Sequence, residues 1–504
     1  APLTKGAEGT VLTAGANDLS WVAASAGGEA TFTATGAITA GNPVGFNANG
    51  TVSVMQKQVG VGVSLGSGAG NPGRQPIAYD TANNKYLHVF VGTNTKLFAR
   101  VGTVSSNFGI SFGTAVDSGI TLSAFVGNRG ELHLVYDDNA GKFVVSYADA
   151  NDQNSACTIT ISGTTPSFGT AVIVFTGTTY QTMVGYDSNA NKVLFINAGN
   201  GSYATARVGT ISGTNITLGT AANLGNYALY ATPGSLTFDT TANKFVFLAA
   251  IGGSGPSYAR VLTISGTSVS GGAVFTGLGS NSTYGNVVYD PSINKTVVIY
   301  FNSSIPVFNL LTISGTTLSA GTETALPFTS ALSTAGYPQD FIQAVVNPDT
   351  NGLIFAYSTR SVLVNKPLGA CVTPGTFSGS TLTLGTEVVV SKTKSLAGLL
   401  YEPDTNQTVV GTSTLDVADS AEDQIVDALS GVRPAYVGIA AENISNGATG
   451  KVTIIGGVNA NQSSLSAGTQ YGIPTTSASL VATDTDPVGI AISSTEIYLR
   501  AALI

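Results

Sequence analysis

The sequence predicts an all-β protein: a seven-bladed β-propeller inserted into a small split β domain and preceded by an extended N-terminal stalk or attachment segment. Three observations predict this fold. A unit of roughly 50 residues recurs along the middle of the chain. Each unit contains two hairpins in which apolar and small polar residues alternate. Short strands with Gly-rich turns flank the repeats on both sides. The predicted boundaries are 1–29 for the attachment segment, 30–58 with 435–504 for the split domain, 59–415 for the propeller and 416–434 for a linker.

The composition is typical of a folded protein. Of 504 residues, 43% are hydrophobic and 10% are charged, a balance opposite to that of disordered chains. The net charge is −8 and no segment concentrates basic residues, so we expect no nucleic acid partner. We expect no membrane insertion, because no apolar run approaches the ~18 residues of a spanning helix and the N-terminal region lacks a signal-peptide pattern. The chain starts at Ala1, as after removal of an initiator Met, which suggests synthesis in a cytoplasm.

The first hairpin of each unit carries an aromatic-Asp pair followed by polar residues that usually end in Asn-Lys. The five clear copies contain Asp80, Asp137, Asp187, Asp239 and Asp290. Two weaker copies begin near Val345 and Leu399. Since four strands per unit at this period are typical of a propeller blade, seven copies predict seven blades. Two alternatives stay open: a parallel β-helix, which would not need a tight antiparallel turn at every Asp, and a row of β-sandwiches, which would need about twice the residues per unit.

The second hairpin of each unit contains an ISGT-like turn, but only six such hairpins accompany the seven Asp hairpins. The final unit therefore lacks a partner. The segment from Val59 to Leu65 precedes the first unit and has the pattern of a strand. We predict that it completes the sheet that begins near Tyr401, which would bring the two ends of the repeat region together.

The repeated Asp residues predict capped turns. A calcium loop of the EF-hand type alternates oxygen ligands and ends in a bidentate Glu, which these segments lack. An Asp side chain at such a turn accepts backbone N–H groups, while Asn and Gly tolerate left-handed backbone. We therefore predict no metal and no cofactor. The aromatic residue before the Asp is expected to pack between neighbouring sheets, and the Lys to lie over an aromatic ring or reach water.

Residue types that carry chemistry are few. His88 and His133 fall inside predicted strands without a second His or a carboxylate cluster, so we interpret them as core or rim residues. Cys157 and Cys371 stand alone and are expected to be small buried residues.

Departures from the repeat are the places where a site could occur. These are Arg129, Gly130, Glu131, Asp340, Gln343 and Arg360. A glycosidase would need two carboxylates within ~5 to 10 Å of each other, and nothing in the sequence pairs them. We therefore predict no catalytic residues and no enzyme activity.

The flanking segments are expected to form one domain. Ala30 to Met55 and Ala435 to Leu499 both contain short strands parted by Gly-rich turns, and neither is large enough for its own core. Between the last unit and the second flank, Ser420 followed by an apolar pattern up to Gly431 predicts a short linker helix.

The flanks resemble modules of tailed-bacteriophage virion proteins, especially tail fibres and appendages of marine and cyanobacterial phages. The matching stretches are GAITAGNPVGFNANGTVSVM from Gly36, the segment from Val437 to Ile473, and DPVGIAISSTEIYL from Asp486. The stretch GTVLTAGANDLSWVA from Gly9 is similar to an element that precedes such modules, and the repeats resemble arrays in the same group. The resemblance implies a virion surface location, trimerisation through the N-terminal end and contact with the host envelope. A fibre would usually have a longer shaft, so a tail adaptor or capsid decoration protein is also implied.

The predicted function is therefore a structural protein of a bacteriophage particle that displays a propeller for attachment to a host surface or glycan. Tyr and Asn on the loops that connect the blades would suit stacking on sugars and bonding to their hydroxyl groups. The expected partners are other virion proteins, bound through the N-terminal region, and further copies in a homotrimer. A bacterial adhesin or surface-layer protein is one alternative, and a polysaccharide depolymerase is another.

Overall fold

The computed structural model describes residues 10–14, 19–23, 28–46, 51–54, 63–67, 76–92, 95–104, 110–123, 132–179, 181–198, 204–225, 235–250, 257–278, 285–302, 305–328, 342–348, 351–360, 367–385, 387–391, 395–403, 407–413, 423–430, 435–472, 480–482 and 487–500. Within these ranges all regular elements are strands, and every strand ladder is antiparallel. None of these residues belongs to a helix that could cross a lipid bilayer. The prediction of an all-β protein is confirmed.

The chain divides into two compact units. Unit 1 consists of Ala1–Gln58 with Arg433–Ile504, and unit 2 consists of Val59–Val432. The strands of unit 1 that precede unit 2 are β1 (Thr10–Ala14), β2 (Leu19–Ala23), β3 (Glu29–Thr33), β4 (Pro43–Phe46) and β5 (Val52–Val54).

Unit 2 starts with β6 (Val63–Ser67) and continues with antiparallel sheets that we number I to VII. Sheet I contains β7 (Ile77–Asp80), β8 (Lys85–Val91), β9 (Lys96–Val104), β10 (Ile110–Phe112) and β11 (Val116–Thr121). Sheet II contains β12 (Leu132–Asp137), β13 (Lys142–Ala148), β14 (Asn154–Ser162), β15 (Thr165–Phe168) and β16 (Val172–Phe175). Sheet III contains β17 (Gln181–Asp187), β18 (Lys192–Ala198), β19 (Ala204–Ser212), β20 (Asn215–Leu218) and β21 (Ala222–Gly225). Sheet IV contains β22 (Leu236–Asp239), β23 (Lys244–Ala250), β24 (Ser257–Ser265) and β25 (Ser268–Phe275).

The remaining sheets of unit 2 follow the same order. Sheet V contains β26 (Asn286–Asp290), β27 (Lys295–Asn302), β28 (Ile305–Ser314), β29 (Thr317–Ala320) and β30 (Thr324–Ala325). Sheet VI contains β31 (Ile342–Asn347), β32 (Gly352–Arg360), β33 (Pro367–Ser378), β34 (Thr381–Leu384) and β35 (Val388–Ser391). Sheet VII contains β36 (Ser395–Glu402), β37 (Gln407–Ser413) and β38 (Asp423–Ser430), and its fourth strand is β6.

Sheet VII joins chain segments that are far apart in sequence. In the ladder between β38 and β6, Val426 lies opposite Val63 and Ile425 lies opposite Ser64. The prediction that the segment from Val59 to Leu65 enters the sheet of Tyr401 is therefore confirmed for residues 63–65, and residues 59–62 lie outside the described residues. The predicted linker helix is wrong, because residues 423–430 form β38. Their backbone groups pair with β37 on one side and β6 on the other, and these two ladders outweigh a weak local helix preference.

Neighbouring sheets of unit 2 pack through their first strands and through apolar clusters. β7 contacts β12, the same contact repeats between each pair of successive first strands, and β36 of sheet VII contacts β7 of sheet I. Each neighbouring pair shares one hydrophobic cluster. The cluster between sheets VII and I contains Tyr86, Val104, Ile110 and Val409. Each sheet therefore packs against the next one, and sheet VII packs against sheet I.

The outer parts of the sheets also interlock. In sheets I to IV a glycine lies within or just after the fourth strand. A Cβ added to this glycine would overlap the carbonyl oxygen of a Thr in the next sheet. That Thr lies in the turn between the third and fourth strands, which we call the outer turn. The pairs are Gly113 with Thr164, Gly169 with Thr214, Gly219 with Thr267 and Gly272 with Thr316. The contact is held in place at Thr214, whose carbonyl accepts a hydrogen bond of 2.9 Å from Thr158 Oγ1. The repeated glycine therefore makes room for the neighbouring turn.

Unit 1 combines strands from both flanks. Its later strands are β39 (Ala435–Ala440), β40 (Thr449–Ile454), β41 (Val458–Asn459), β42 (Gln470–Gly472), β43 (Val481–Ala482), β44 (Pro487–Ala491) and β45 (Ile497–Leu499). One sheet has the order β3-β40-β39-β4-β5, and a second has the order β41-β45-β44-β42-β43. One apolar cluster packs on the first sheet, and a second joins Ile439 of β39 to residues of the second sheet. β1 and β2 form a hairpin within the predicted attachment segment, and the stalk-like role of that segment stays a prediction.

Candidate functional site

The two ends of the sheets in unit 2 differ in how constant their connections are. The first and second strands are joined by four residues in every sheet, from 81–84 in sheet I to 403–406 in sheet VII. We call this the turn end. The connections at the opposite end, which we call the loop end, vary: the second and third strands are joined by 303–304 in sheet V but by 414–422 in sheet VII. Functional residues are concentrated on variable loops carried by a rigid scaffold, so the loop end is the candidate functional region.

The turn end is built from the repeated Asp residues. Asp80 Oδ1 accepts the backbone N–H groups of Ala82 and Asn83 at 3.0 and 3.1 Å. Asp187 and Asp239 make the same two bonds, and Asp137 and Asp290 each accept a backbone N–H in their own turns. The Asn before the Lys has a positive φ in several copies, for example 54° at Asn84. The prediction that these Asp residues cap turns is confirmed.

The aromatic residues before the Asp connect neighbouring sheets. Tyr79 Oη of sheet I donates to Glu402 Oε1 of sheet VII at 2.6 Å. Tyr289 Oη of sheet V lies 2.6 Å from Thr241 Oγ1 of sheet IV. Packing between sheets is thus confirmed for these residues. Two lysines behave differently from the prediction, since Lys85 and Lys295 donate to Thr103 and Thr312 on the adjacent third strands.

The loop end of sheet V carries a carboxylate held by two neutral donors. Tyr300 Oη donates to Glu323 Oε2, and Asn302 Nδ2 donates to Glu323 Oε1 at 2.7 Å. Tyr300 is fully buried, whereas Glu323 is exposed. Asn302 lies opposite Ile305, whose side chain is 56% exposed. This end of sheet V therefore presents an oriented carboxylate, an amide and an exposed apolar side chain.

Sheet VI repeats part of this arrangement. Tyr357 Oη donates to Glu387 Oε2, and Tyr357 is fully buried. Burial, and secondarily the hydrogen bond to Glu387, raises the pKa of Tyr357 above its ordinary range, so the phenol keeps its proton and remains a donor. Phe328, which follows the outer strand of sheet V, stacks on Tyr357 with ring centroids 4.1 Å apart. This stack joins sheet VI to sheet V.

Sequence reasoning missed these two carboxylates, although a signal for them was present. Glu323 and Glu387 each lie two residues after a glycine, Gly321 and Gly385 respectively. The backbone N–H of this glycine donates a hydrogen bond to a carbonyl of the third strand. In sheets I, II and III the same position holds an Ala: Ala115, Ala171 and Ala221. A comparison of the repeats at this single position would have identified both Glu residues.

The departures from the repeat named above do not form a site among the described residues. Gln343 is buried in β31 opposite Ala356, and Arg360 ends β32 opposite Pro367. Arg129, Gly130, Glu131 and Asp340 lie outside the described residues. Within the described ranges, no group of three or more His, Cys, Asp or Glu residues could hold a metal ion.

The histidines and cysteines occupy the interior. His88 and His133 are both buried in strands, and His88 stacks on Phe90 with ring centroids 5.2 Å apart. Cys157 and Cys371 are free and buried, as predicted. Burial raises the pKa of Cys157 to about 12, so this thiol is a poor nucleophile.

His88 predicts a specific pH dependence of stability. Burial, with a further contribution from Arg100, lowers the pKa of His88 from 6.5 to about 3. Between these values the unfolded chain binds a proton that the folded chain does not, so stability is lost as the pH falls below about 6.5. We expect the free energy of unfolding to fall by about 2 kcal/mol more in the wild type than in His88→Phe between pH 7 and pH 5. Urea unfolding at both pH values measures this, and equal losses in the two proteins would contradict it.

Comparison with known proteins gives structural likenesses but no family. No family model and no curated protein matches the chain. Among solved structures, the chain is similar to a putative 6-phosphogluconolactonase from Bacteroides fragilis, with a TM-score of 0.47 and 12% sequence identity over 74% of this chain and 98% of that chain. A likeness at this level says nothing about activity, and function must be argued from the residues themselves.

Proposed function

We propose that this chain is a structural protein of a bacteriophage particle, a tail appendage or capsid decoration, that displays a β-propeller for attachment to the host surface. The observation that carries the proposal is the contrast between the two ends of unit 2. Constant, internally hydrogen-bonded turns at one end support a rigid scaffold, and the connections at the other end differ in length and sequence. This division suits a protein that binds its partner through loops held by a rigid scaffold. The virion assignment rests on the resemblance of the flanks and repeats to phage appendage proteins.

We further propose that sheets I to VII are the blades of a seven-bladed propeller closed by β6 and inserted into the split unit 1. The support is the return of first-strand contacts from sheet VII to sheet I, together with the apolar cluster that sheets VII and I share. In this arrangement the N-terminal region attaches the protein to other virion proteins in a homotrimer, and the loop ends of the blades face the host.

Closure by β6 predicts a specific cross-link. Ser64 lies opposite Ile425 in the ladder, so Cys residues introduced at both positions (Ser64→Cys, Ile425→Cys) are expected to form a disulfide in the folded protein. Electrophoresis without reductant should show a shift in mobility. As a control, Ser64→Cys with Val426→Cys should not cross-link, because adjacent residues of a strand point to opposite faces. Equal cross-linking in both variants, or none in the first, would contradict this closure.

The virion assignment is tested by locating the protein in particles. Antibodies against unit 2, coupled to gold and examined by electron microscopy, are expected to label the tail or capsid surface. Purified protein should also reduce adsorption of the particles to the bacterium on which they grow. Absence of label from intact particles would overturn the virion role, and labelling of the bacterial surface in uninfected cells would favour an adhesin.

A further inference from the structure

We propose that Glu323 and Glu387, at the loop ends of sheets V and VI, bind the hydroxyl groups of a neutral saccharide. This inference rests on the proposed attachment function and adds to it the binding residues and the chemical class of the ligand.

The fold does not require a Glu at this position. In sheet II, Tyr147 occupies the place of Tyr300 and Tyr357, with the same register against the third strand. Tyr147 is also buried, yet Ala171 stands where sheets V and VI have Glu. A buried Tyr at this position therefore occurs with Ala in place of the Glu, so burial of the Tyr does not by itself require the Glu.

The carboxylate of Glu323 is pre-organised for binding. Its two oxygens accept hydrogen bonds from the phenol of Tyr300 and the amide of Asn302, which fix its orientation without neutralising its charge. Each carboxylate oxygen can accept more than one hydrogen bond, so lone pairs remain for external donors. Hydrogen bonds to an ionised acceptor are about twice as strong as neutral ones, and a fixed acceptor loses little entropy on binding.

The surroundings of Glu323 favour a saccharide over a cation. Asn302 supplies an amide beside the carboxylate, and the exposed Ile305, which lies opposite Asn302 in the ladder, supplies an apolar surface. A sugar ring presents hydroxyl donors at its edge and an apolar C–H face, which fits this combination. A divalent cation would instead need several oxygen ligands around one point, and the described residues hold no cluster of three acidic or other metal-binding side chains.

The test uses the full chain and removes both carboxylates. In Glu323→Ala with Glu387→Ala, each Glu becomes the residue that the protein already has in sheets I to III, so the variant is expected to fold. The probes are immobilised neutral polysaccharides (mannan, galactan and dextran), an anionic polysaccharide (alginate) and CaCl2 alone. We expect the wild type to bind at least one neutral polysaccharide and the double variant to bind it roughly tenfold more weakly or worse.

A matched control removes a carboxylate elsewhere in unit 2. Asp117→Ala acts on the outer strand of sheet I, where Asp117 pairs with Lys96 at 3.5 Å, and it should leave polysaccharide binding unchanged. Three results would overturn the proposal: unchanged binding in the double variant, binding of alginate alone, or Ca²⁺ binding that the double variant loses. If the wild type binds none of the neutral polysaccharides, the saccharide site is also rejected. The particle-labelling experiment is independent of these results, so failure of this site and failure of the virion role can be distinguished.

Discussion

Gly219→Ala is expected to destabilise unit 2 by about 2 to 3 kcal/mol, although it adds a single methyl group. An added Cβ at Gly219 would overlap the carbonyl oxygen of Thr267 and lie 2.9 Å from its carbonyl carbon. Both atoms belong to backbone, so relief requires the outer turn of sheet IV to move away from sheet III. The expected result is a lower urea midpoint for the unfolding of the full chain.

Gly321→Ala is the matched control for this substitution. Gly321 holds the same position in sheet V, but an added Cβ there would meet only atoms 3.6 Å or more away. We expect this variant to be neutral or slightly stabilising, since Ala restricts the unfolded chain more than Gly does. If the two variants had the same midpoint, steric contact with the neighbouring turn could not be the reason for the repeated glycine.

Arg260→Met is expected to cost about 3 kcal/mol, the second large effect. Arg260 Nε donates to the carbonyl of Gly272 at 2.7 Å, and Nη2 donates to Gly271 at 3.3 Å within sheet IV. Its Nη1 donates to Leu224 of sheet III. The guanidinium thus links two neighbouring sheets, and Met keeps the apolar length of the side chain while removing all three donors. Arg207 makes equivalent bonds to Gly219 and to Val174 of sheet II.

The control for Arg260 removes a different cation. Lys295 donates one hydrogen bond to Thr312 at an exposed position within sheet V, so Lys295→Met should change stability by less than about 0.5 kcal/mol. Urea unfolding compares the two variants with the wild type. Similar small effects in both would show that Arg260 does not hold the two sheets together.

The loop end illustrates how much of the candidate site could be predicted. The position of Glu323 and Glu387 within the repeat can be found by aligning units, because the glycine two residues earlier makes the same backbone bond in sheets I, II, III, V and VI. That their partners are Tyr300 and Tyr357 could not be found in this way. The Tyr lies on the second strand and the Glu between the last two strands of the sheet, and only the packed sheet brings the two side chains together.

The sequence alone determined the strands and the turns of this protein. Alternation of apolar and polar residues, the Asp that caps its own turn and the Asn with positive φ all act within a few residues, so they are visible in any single unit. The tertiary structure alone decided the state of residues 423–430 and the clearance at Gly219. A local helix pattern became β38 because the preceding strand β37 and the distant strand β6 offered backbone partners on its two sides, and the need for glycine came from a turn in the next sheet. Both effects depend on groups far away in the chain, whose proximity arises only when the sheets pack.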